Sequence, residues 1–216
     1  LSFLSNIPNM TVMSPKNKWE LSDMIKYAVN FGAPIAVRYP RGEAYDGLKE
    51  YRAPVSLGKS EWIYMESEIA LFALGSMVKT AAAVREILKS QGYSCSLINA
   101  RFAKPLDEDA LLSAARHHDL IVPLDEDVLK HITEHHKVIV TLEENVISGG
   151  FGEHVTEFYN NEDGRDIRIL NIAIPDEYVE HGNVDLLRKE VGLDVDTLVE
   201  RTIAAYEKCG IRIENG

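Results

Sequence analysis

Cysteine is nearly missing from this chain. Cys95 and Cys209 are the only two in 216 residues. Two lone thiols in an acidic chain exclude a disulfide-stapled fold and point to a reducing, cytoplasmic setting. Long apolar runs are missing as well. None approaches the roughly 20 residues that a bilayer-spanning helix needs. The opening Leu1-Ser-Phe-Leu-Ser5 lacks the basic region and apolar core of a secretory signal. The first residue is not Met, which is expected of a piece of a longer chain. Basic residues are scarce, 23 Lys and Arg against 34 Asp and Glu, for a formal net charge of -11. Phosphate backbones and anionic membranes repel such a surface, so neither nucleic acid nor membrane is expected as a partner. There is no Walker loop, no Gly-x-Ser-x-Gly elbow and no Cys-x-x-Cys. Nothing in the chain is a self-sufficient catalytic set.

What is present is ordinary globular material. Hydrophobic residues make up 45% and charged residues 26%, enough to bury a sizeable core. The length exceeds one typical domain and falls short of two. The stretch to start from is Pro34-Ile-Ala-Val-Arg-Tyr-Pro-Arg-Gly42. Its apolar beginning reads as a short buried strand that delivers Arg38, Tyr39 and Arg41 to a rim. Pro40 ends the strand, and Gly42 permits a sharp turn. Ligands gather at the carboxyl edge of α/β sheets. A guanidinium there matches phosphate oxygens in pairs. The plainer alternative is a surface salt bridge beside a turn.

Around this stretch, Thr11-Val-Met13 reads as a strand. From Lys18 to Phe31, residues Leu21, Met24, Ile25, Ala28 and Val29 share a helical face, closed by Gly32. Residues 1–42 thus read as strand, helix, strand. Gly42 to about Leu57 is polar and irregular, a credible linker or a long surface loop. Ile69-Ala-Leu-Phe-Ala-Leu74 is continuously apolar, as in a strand of a parallel sheet buried on both faces. Ser76 is placed to cap the helix from about Val78 to Ser90, and Cys95 to Ile98 forms the next strand. Further on come a strand at Lys137–Leu142, a loop at 143–148, and a helix opened by Gly149-Gly-Phe-Gly152. A strand at Ile167–Ile172 and helices at 184–191 and from Asp194 or Asp196 to about Lys208 complete the pattern. Strands alternating with helices indicate βαβ units.

Three constellations invite chemistry. Gly150-x-Gly152 after a strand suggests a dinucleotide loop, but the position of the third glycine is Val155, so close packing explains the glycines better. The pairs His117-His118 and His135-His136 are adjacent, whereas zinc helices space their ligands by four. Glu143-Glu144 is a possible acid/base pair, although adjacent side chains on a strand diverge.

The chain also repeats itself. Pro105 to Val122 recurs as Pro123 to Val140, with ten of eighteen positions identical. Each unit encodes an Asp-capped helix and a short apolar strand, and two units are too few for a solenoid. The second unit runs directly into Thr141-Leu-Glu-Glu-Asn145, and its strand is the longer one. Residues 137–142 are therefore expected in the central sheet. The helix at about 107–118 and the strand at 119–122 are expected at an edge or outside the core, since a dense core has little room for a surplus strand.

Ile7-Pro-Asn-Met10, Met13-Ser-Pro15, Ala36-Val-Arg-Tyr-Pro-Arg-Gly42 and Ala100-Arg-Phe-Ala-Lys-Pro-Leu-Asp107 together resemble the 1-deoxy-D-xylulose-5-phosphate synthase family. So do Thr141-Leu-Glu-Glu-Asn145, Gly149-Gly-Phe-Gly152 and Asn171-Ile-Ala-Ile-Pro-Asp176, in the family's order. Such enzymes are transketolase-like. They use thiamine diphosphate and Mg2+ to join pyruvate, after decarboxylation, to glyceraldehyde 3-phosphate. Isoprenoid and thiamine biosynthesis use the product. The resemblance covers only the last third of such an enzyme. It implies an α/β fold with a mostly parallel sheet and flanking helices. Residues 1–50 would be the tail of the middle, pyrimidine-binding domain, and residues 51–216 the C-terminal domain with the extra unit at 105–140. The segments that carry the family's cofactor-activating glutamate and magnesium motif have no counterpart here. No catalytic, cofactor-binding or metal-ligating residue carries over. The second arginine of Arg-Tyr-Pro-Arg-Gly helps hold the sugar phosphate in the family, and that role passes to Arg41. Glu143, Glu144 and His181 receive no role. The resemblance implies a homodimer in the intact enzyme, and an isolated fragment without activity or cofactor affinity. The alternative is a separate C-terminal subunit of a split transketolase-like enzyme, or the β subunit of a 2-oxo-acid dehydrogenase, which shares the architecture.

Overall fold

The structure is a computed structural model that describes residues 2–115, 136–161, 167–176, 179 and 182–209. Its organisation follows from one strand, β4 (Glu68–Ala73). Side chains alternate across a strand, so its continuous apolar run feeds two cores at once. Ile69, Leu71 and Ala73 enter one core, with α3 (Met77–Ser90) and α7 (Val195–Glu207) packed over them. Ala70 and Phe72 enter the other, against α4 (Glu108–Ala115) and α5 (Phe151–Asn160). The result is a three-layer α/β sandwich.

The central sheet has the order β3-β5-β4-β7-β8, with β3 at Glu61–Tyr64, β5 at Cys95–Asn99, β7 at His136–Val146 and β8 at Arg168–Ile174. Four of these strands are parallel. β3 pairs antiparallel with β5 at the edge. A second, smaller sheet has the order β2-β1-β6, made of β2 (Ile35–Val37), β1 (Thr11–Met13) and β6 (Phe102–Lys104). It draws strands from both sides of the irregular stretch 42–57. Met13, Met24 and Phe102 form its core, with Met24 supplied by α2 (Lys18–Val29). The remaining elements are a short α1 (Ser2–Ser5) and α6 (Val184–Glu190). Among the described residues, no helix is long and apolar enough to cross a membrane.

Local signals account for most boundaries. The Asn17 side chain accepts from the Glu20 amide at the start of α2, and Asp194 caps α7 in the same way. Three local expectations fail. β2, expected as a buried strand, is only half-buried. Ser76 has helical backbone angles and makes no cap bond, because its hydroxyl is used elsewhere. Residues 143–146, expected as a loop, continue β7 instead, with Val146 paired to Ile174 after an irregularity.

The tandem units divide their contributions. The strand of the second unit lies inside the central sheet, where Val138, Ile139, Val140 and Leu142 are fully buried between β4 and β8. The helix of the first unit is not displaced, contrary to expectation. Ala110, Leu111 and Ala114 of α4 are buried in the second core, and Tyr159 donates its hydroxyl to the Leu111 carbonyl. The physical reason is adjacency. α4 follows β6 almost directly, and Asp107 anchors the junction by accepting from the Ser60 amide at 2.6 Å and the Ala110 amide at 3.3 Å. Burying Leu111 alone contributes roughly 1.5–3 kcal/mol, which favours keeping the nearest helix. Residues 119–122 lie outside the described residues.

Helix from the first unit and strand from the second make one complete unit. Deleting residues 118–135 joins His117 to His136 and leaves a single unit of the repeat. The shortened chain is expected to keep the far-ultraviolet circular dichroism of the parent and to melt at the same temperature or higher, since a shorter connection costs less closure entropy. Loss of a cooperative melt would show that the fold requires both units.

Candidate functional site

A dry cluster of charges lies where the two sheets meet. Lys16, Glu20, Glu61 and Arg101 are each no more than 6% exposed. The Lys16 ammonium lies 3.1 Å from Glu20 and 2.6 Å from Glu61. The Arg101 guanidinium lies 2.8 Å from Glu20 and 3.0 Å from Glu61. Asn99 adds bonds to both Glu20 oxygens at 2.9 and 3.0 Å. Two positive and two negative charges cancel, the condition under which buried ions are tolerated. Burial pushes the Glu61 carboxyl up, but the Lys16 hydrogen bond and the charges of Arg101 and Lys16 outweigh it and hold the group below its ordinary value. Arg101 also donates to the carbonyls of Ala53 and Pro54, which ties the irregular stretch 42–57 to the core. Arg101 is thus a structural anchor, with its donors committed inside the protein.

This junction sets the end of β2 over the carboxyl edge of the central sheet. The Arg38 amide donates to the Met13 carbonyl, and the Ser14 hydroxyl donates to the Arg38 carbonyl, each at 2.8 Å. The Arg38 guanidinium donates to the backbone carbonyl of Glu144, near the end of β7. Beyond it the chain turns outward. Tyr39 is 57% exposed, and Gly42 has a φ of 126°, a region that favours glycine. Arg41 stands exposed on this turn. Among the described residues it has no ion-pair partner. Of the arginines the sequence sends to this rim, the structure therefore commits Arg38 and leaves Arg41 open.

Glu143 and Glu144 point apart, as adjacent strand residues do, and take up separate tasks. Glu143 is fully buried and accepts from the Phe151 and Gly152 amides at 2.9 and 2.8 Å. It fills the N-terminus of α5 with an internal carboxylate, so the amides that a bound phosphate would need there are already taken. Close packing accounts for both glycines. A Cβ at position 150 would stand 2.6 Å from both a Glu143 oxygen and the Val146 carbonyl. One at 152 would stand 2.6 Å from the Thr141 hydroxyl. Burial raises the Glu143 carboxyl above its ordinary value, with the two amides, Asn145 and Arg38 pulling the other way. Glu144 gathers the Ser76 hydroxyl at 2.8 Å and the Arg188 guanidinium at 2.8 and 3.0 Å. The sequence reading overlooked Arg188. Its only signal was a basic residue in the last turn of a short helix, which normally means a dipole contact.

Among the described residues, no three His, Cys, Asp or Glu side chains converge as a metal ion would require. His117, His118, His135 and His181 lie outside those residues.

Comparison with known proteins gives a consistent picture. The family described as "Transketolase, C-terminal domain" matches residues 58–123 and 119–198, two segments that meet inside the tandem repeat. A protein of Lachnoclostridium phytofermentans named 1-deoxy-D-xylulose-5-phosphate synthase is 44% identical over 201 residues, covering 93% of this chain and 29% of that protein. One of the same name from Caldanaerobacter subterraneus subsp. tengcongensis is 38% identical over 211 residues, covering 96% and 30%. The chain thus spans about three tenths of the length of these relatives. Among solved structures, a split-gene transketolase described as an inactive β4 tetramer superposes with a TM-score of 0.79 at 21% identity. That match covers 96% of this chain and 60% of the other. It shows the fold.

The raised Glu143 carboxyl makes a signed prediction. The native state holds this proton more tightly than the unfolded chain, so protonation of Glu143 favours folding. Its contribution to stability declines as pH rises from the ordinary carboxylate value through the raised native one. Relative to the parent, Glu143→Gln is therefore expected to gain stability as pH rises above the ordinary carboxylate range. Urea denaturation across that rise measures the difference; a gap that moves the opposite way would contradict the assigned direction.

Proposed function

Because the chain belongs to the transketolase family through its C-terminal domain, we propose that it forms the C-terminal part of a 1-deoxy-D-xylulose-5-phosphate synthase. The intact enzyme condenses pyruvate, with loss of carbon dioxide, and glyceraldehyde 3-phosphate. Residues 1–50 belong to the middle domain and residues 51–216 to the C-terminal domain, with the boundary between Gly42 and about Leu57. The chain supplies interdomain and homodimer surface, and its location is cytoplasmic.

The observation that carries this reading is the exposed Arg41 on a turn held over the carboxyl edge of a parallel sheet. A guanidinium so placed meets a phosphate with charge-assisted bonds. Arg41 is the phosphate contact for the aldehyde substrate. Thiamine diphosphate and Mg2+ belong to the intact enzyme. On this reading other parts of the enzyme hold the cofactor, and the 216-residue chain alone is expected to be inactive and to bind no thiamine diphosphate.

In an intact synthase carrying this chain, Arg41→Ala is expected to raise KM for glyceraldehyde 3-phosphate far more than KM for pyruvate. The lost contact is worth roughly 1.5–3 kcal/mol, or about tenfold or more. Steady-state kinetics with each substrate varied in turn make the test. Equal effects on the two constants, or none, would remove Arg41 from the phosphate site.

A further inference from the structure

We propose that Arg38 is a positioning residue for Arg41, and that the two arginines of Arg-Tyr-Pro-Arg-Gly hold different tasks. This rests on the assignment of Arg41 to the acceptor phosphate. Residue type and position do not separate the two, since both are arginines at the end of one strand. Their surroundings do. Arg38 is half-buried and its guanidinium is spent on the Glu144 carbonyl. Its positive charge also acts on the buried Glu143 carboxylate, which caps α5. Its main chain is held on both sides, by Met13 and by Ser14. Arg38 is therefore a strut from the small sheet to the carboxyl end of β7.

The far end of the strut is itself fixed. The Glu144 side chain is clamped between Ser76, just after β4, and Arg188 on α6. The carbonyl that receives Arg38 belongs to a residue immobilised from two further elements. From this fixed point only Tyr39 and Pro40 separate Arg38 from Arg41. Proline holds φ near -65°, so the path is short and stiff. An arginine on a free loop loses considerable side-chain and backbone entropy when it grips an anion. Anchoring Arg38 reduces the backbone share of that loss before the ligand arrives. Arg38 acts through Arg41 and does not touch the phosphate.

A double-mutant cycle separates this from the alternatives. In an intact synthase carrying this chain, Arg38→Met is expected to raise KM for glyceraldehyde 3-phosphate several-fold, by no more than Arg41→Ala does, with KM for pyruvate unchanged. Arg38→Lys keeps a donor for the carbonyl and is expected to restore most of the affinity. In an Arg41→Ala background, Arg38→Met is expected to add nothing further. Backbone hydrogen exchange on the 216-residue chain supplies a readout free of activity: the amide of residue 38, bonded to the Met13 carbonyl, and those of Tyr39, Arg41 and Gly42 exchange faster in Arg38→Met, while those of β4 are unchanged. If Arg41→Ala itself leaves KM for the phosphorylated aldehyde unaltered, the phosphate assignment fails. If Arg41→Ala acts but Arg38→Met does not, the positioning role fails. Additive effects in the double variant would make Arg38 a direct ligand and overturn the proposal. Should Arg38→Met not fold, the comparison of Arg38→Lys with Arg38→Gln decides, and equal KM values for those two would overturn it as well.

Discussion

Four buried charges hold the geometry of this protein in place. Lys16, Glu20, Glu61 and Arg101 satisfy one another in a site closed to water. Each comes from a different local context: a turn, a helix, an edge strand and the link between two strands. Removing any one leaves a buried charge uncompensated, which typically costs about 3–5 kcal/mol. Such a cluster is satisfied in one arrangement only. It therefore sets where the small sheet lies on the large one, and so where the end of β2 emerges. The exposed turn with Arg41 inherits its position from a cluster that touches no ligand.

Much of the fold was legible because burial leaves a simple record. Ile69 to Leu74 is apolar at every position, and only a strand covered on both faces requires that. Asn17 and Asp194 marked helix starts by their side-chain chemistry. Long-range pairing leaves no such record. β6, from the Arg-Phe-Ala-Lys stretch, pairs with β1 some ninety residues earlier, and no periodicity announces it. The ionic cluster was equally hidden, because its members are scattered singly and look like surface charges until folding brings them together. Ser76 illustrates the limit of local rules. Its position matched a helix cap, yet its hydroxyl goes to Glu144, sixty-eight residues away.

The two adjacent glutamates show how one strand serves two kinds of site. Alternation sends Glu143 inward and Glu144 towards the rim. The inward carboxylate neutralises a helix terminus. The other gathers a hydroxyl and a guanidinium from separate elements. A single-residue slip of β7 would exchange these roles and drive its core side chains into the opposite core. The register of Val138, Ile139, Val140 and Leu142 in the sheet thus carries the polar constellation at the rim. Core packing and the candidate site are specified by the same choice.

Gly150 and Gly152 look alike in the sequence but differ in evolutionary freedom. A side chain at 150 would collide with the carbonyl oxygen of Val146, part of the main chain itself. No substitution elsewhere removes a carbonyl, so this glycine is fixed for as long as the turn exists. A side chain at 152 would collide with the Thr141 hydroxyl and crowd Asn171. Those are side chains, joined to each other at 2.8 Å, and a lineage can trim them. The freedom of position 152 is therefore conditional, opened or closed by the history of two other residues. One glycine is an absolute constraint, and the other is one member of an epistatic set.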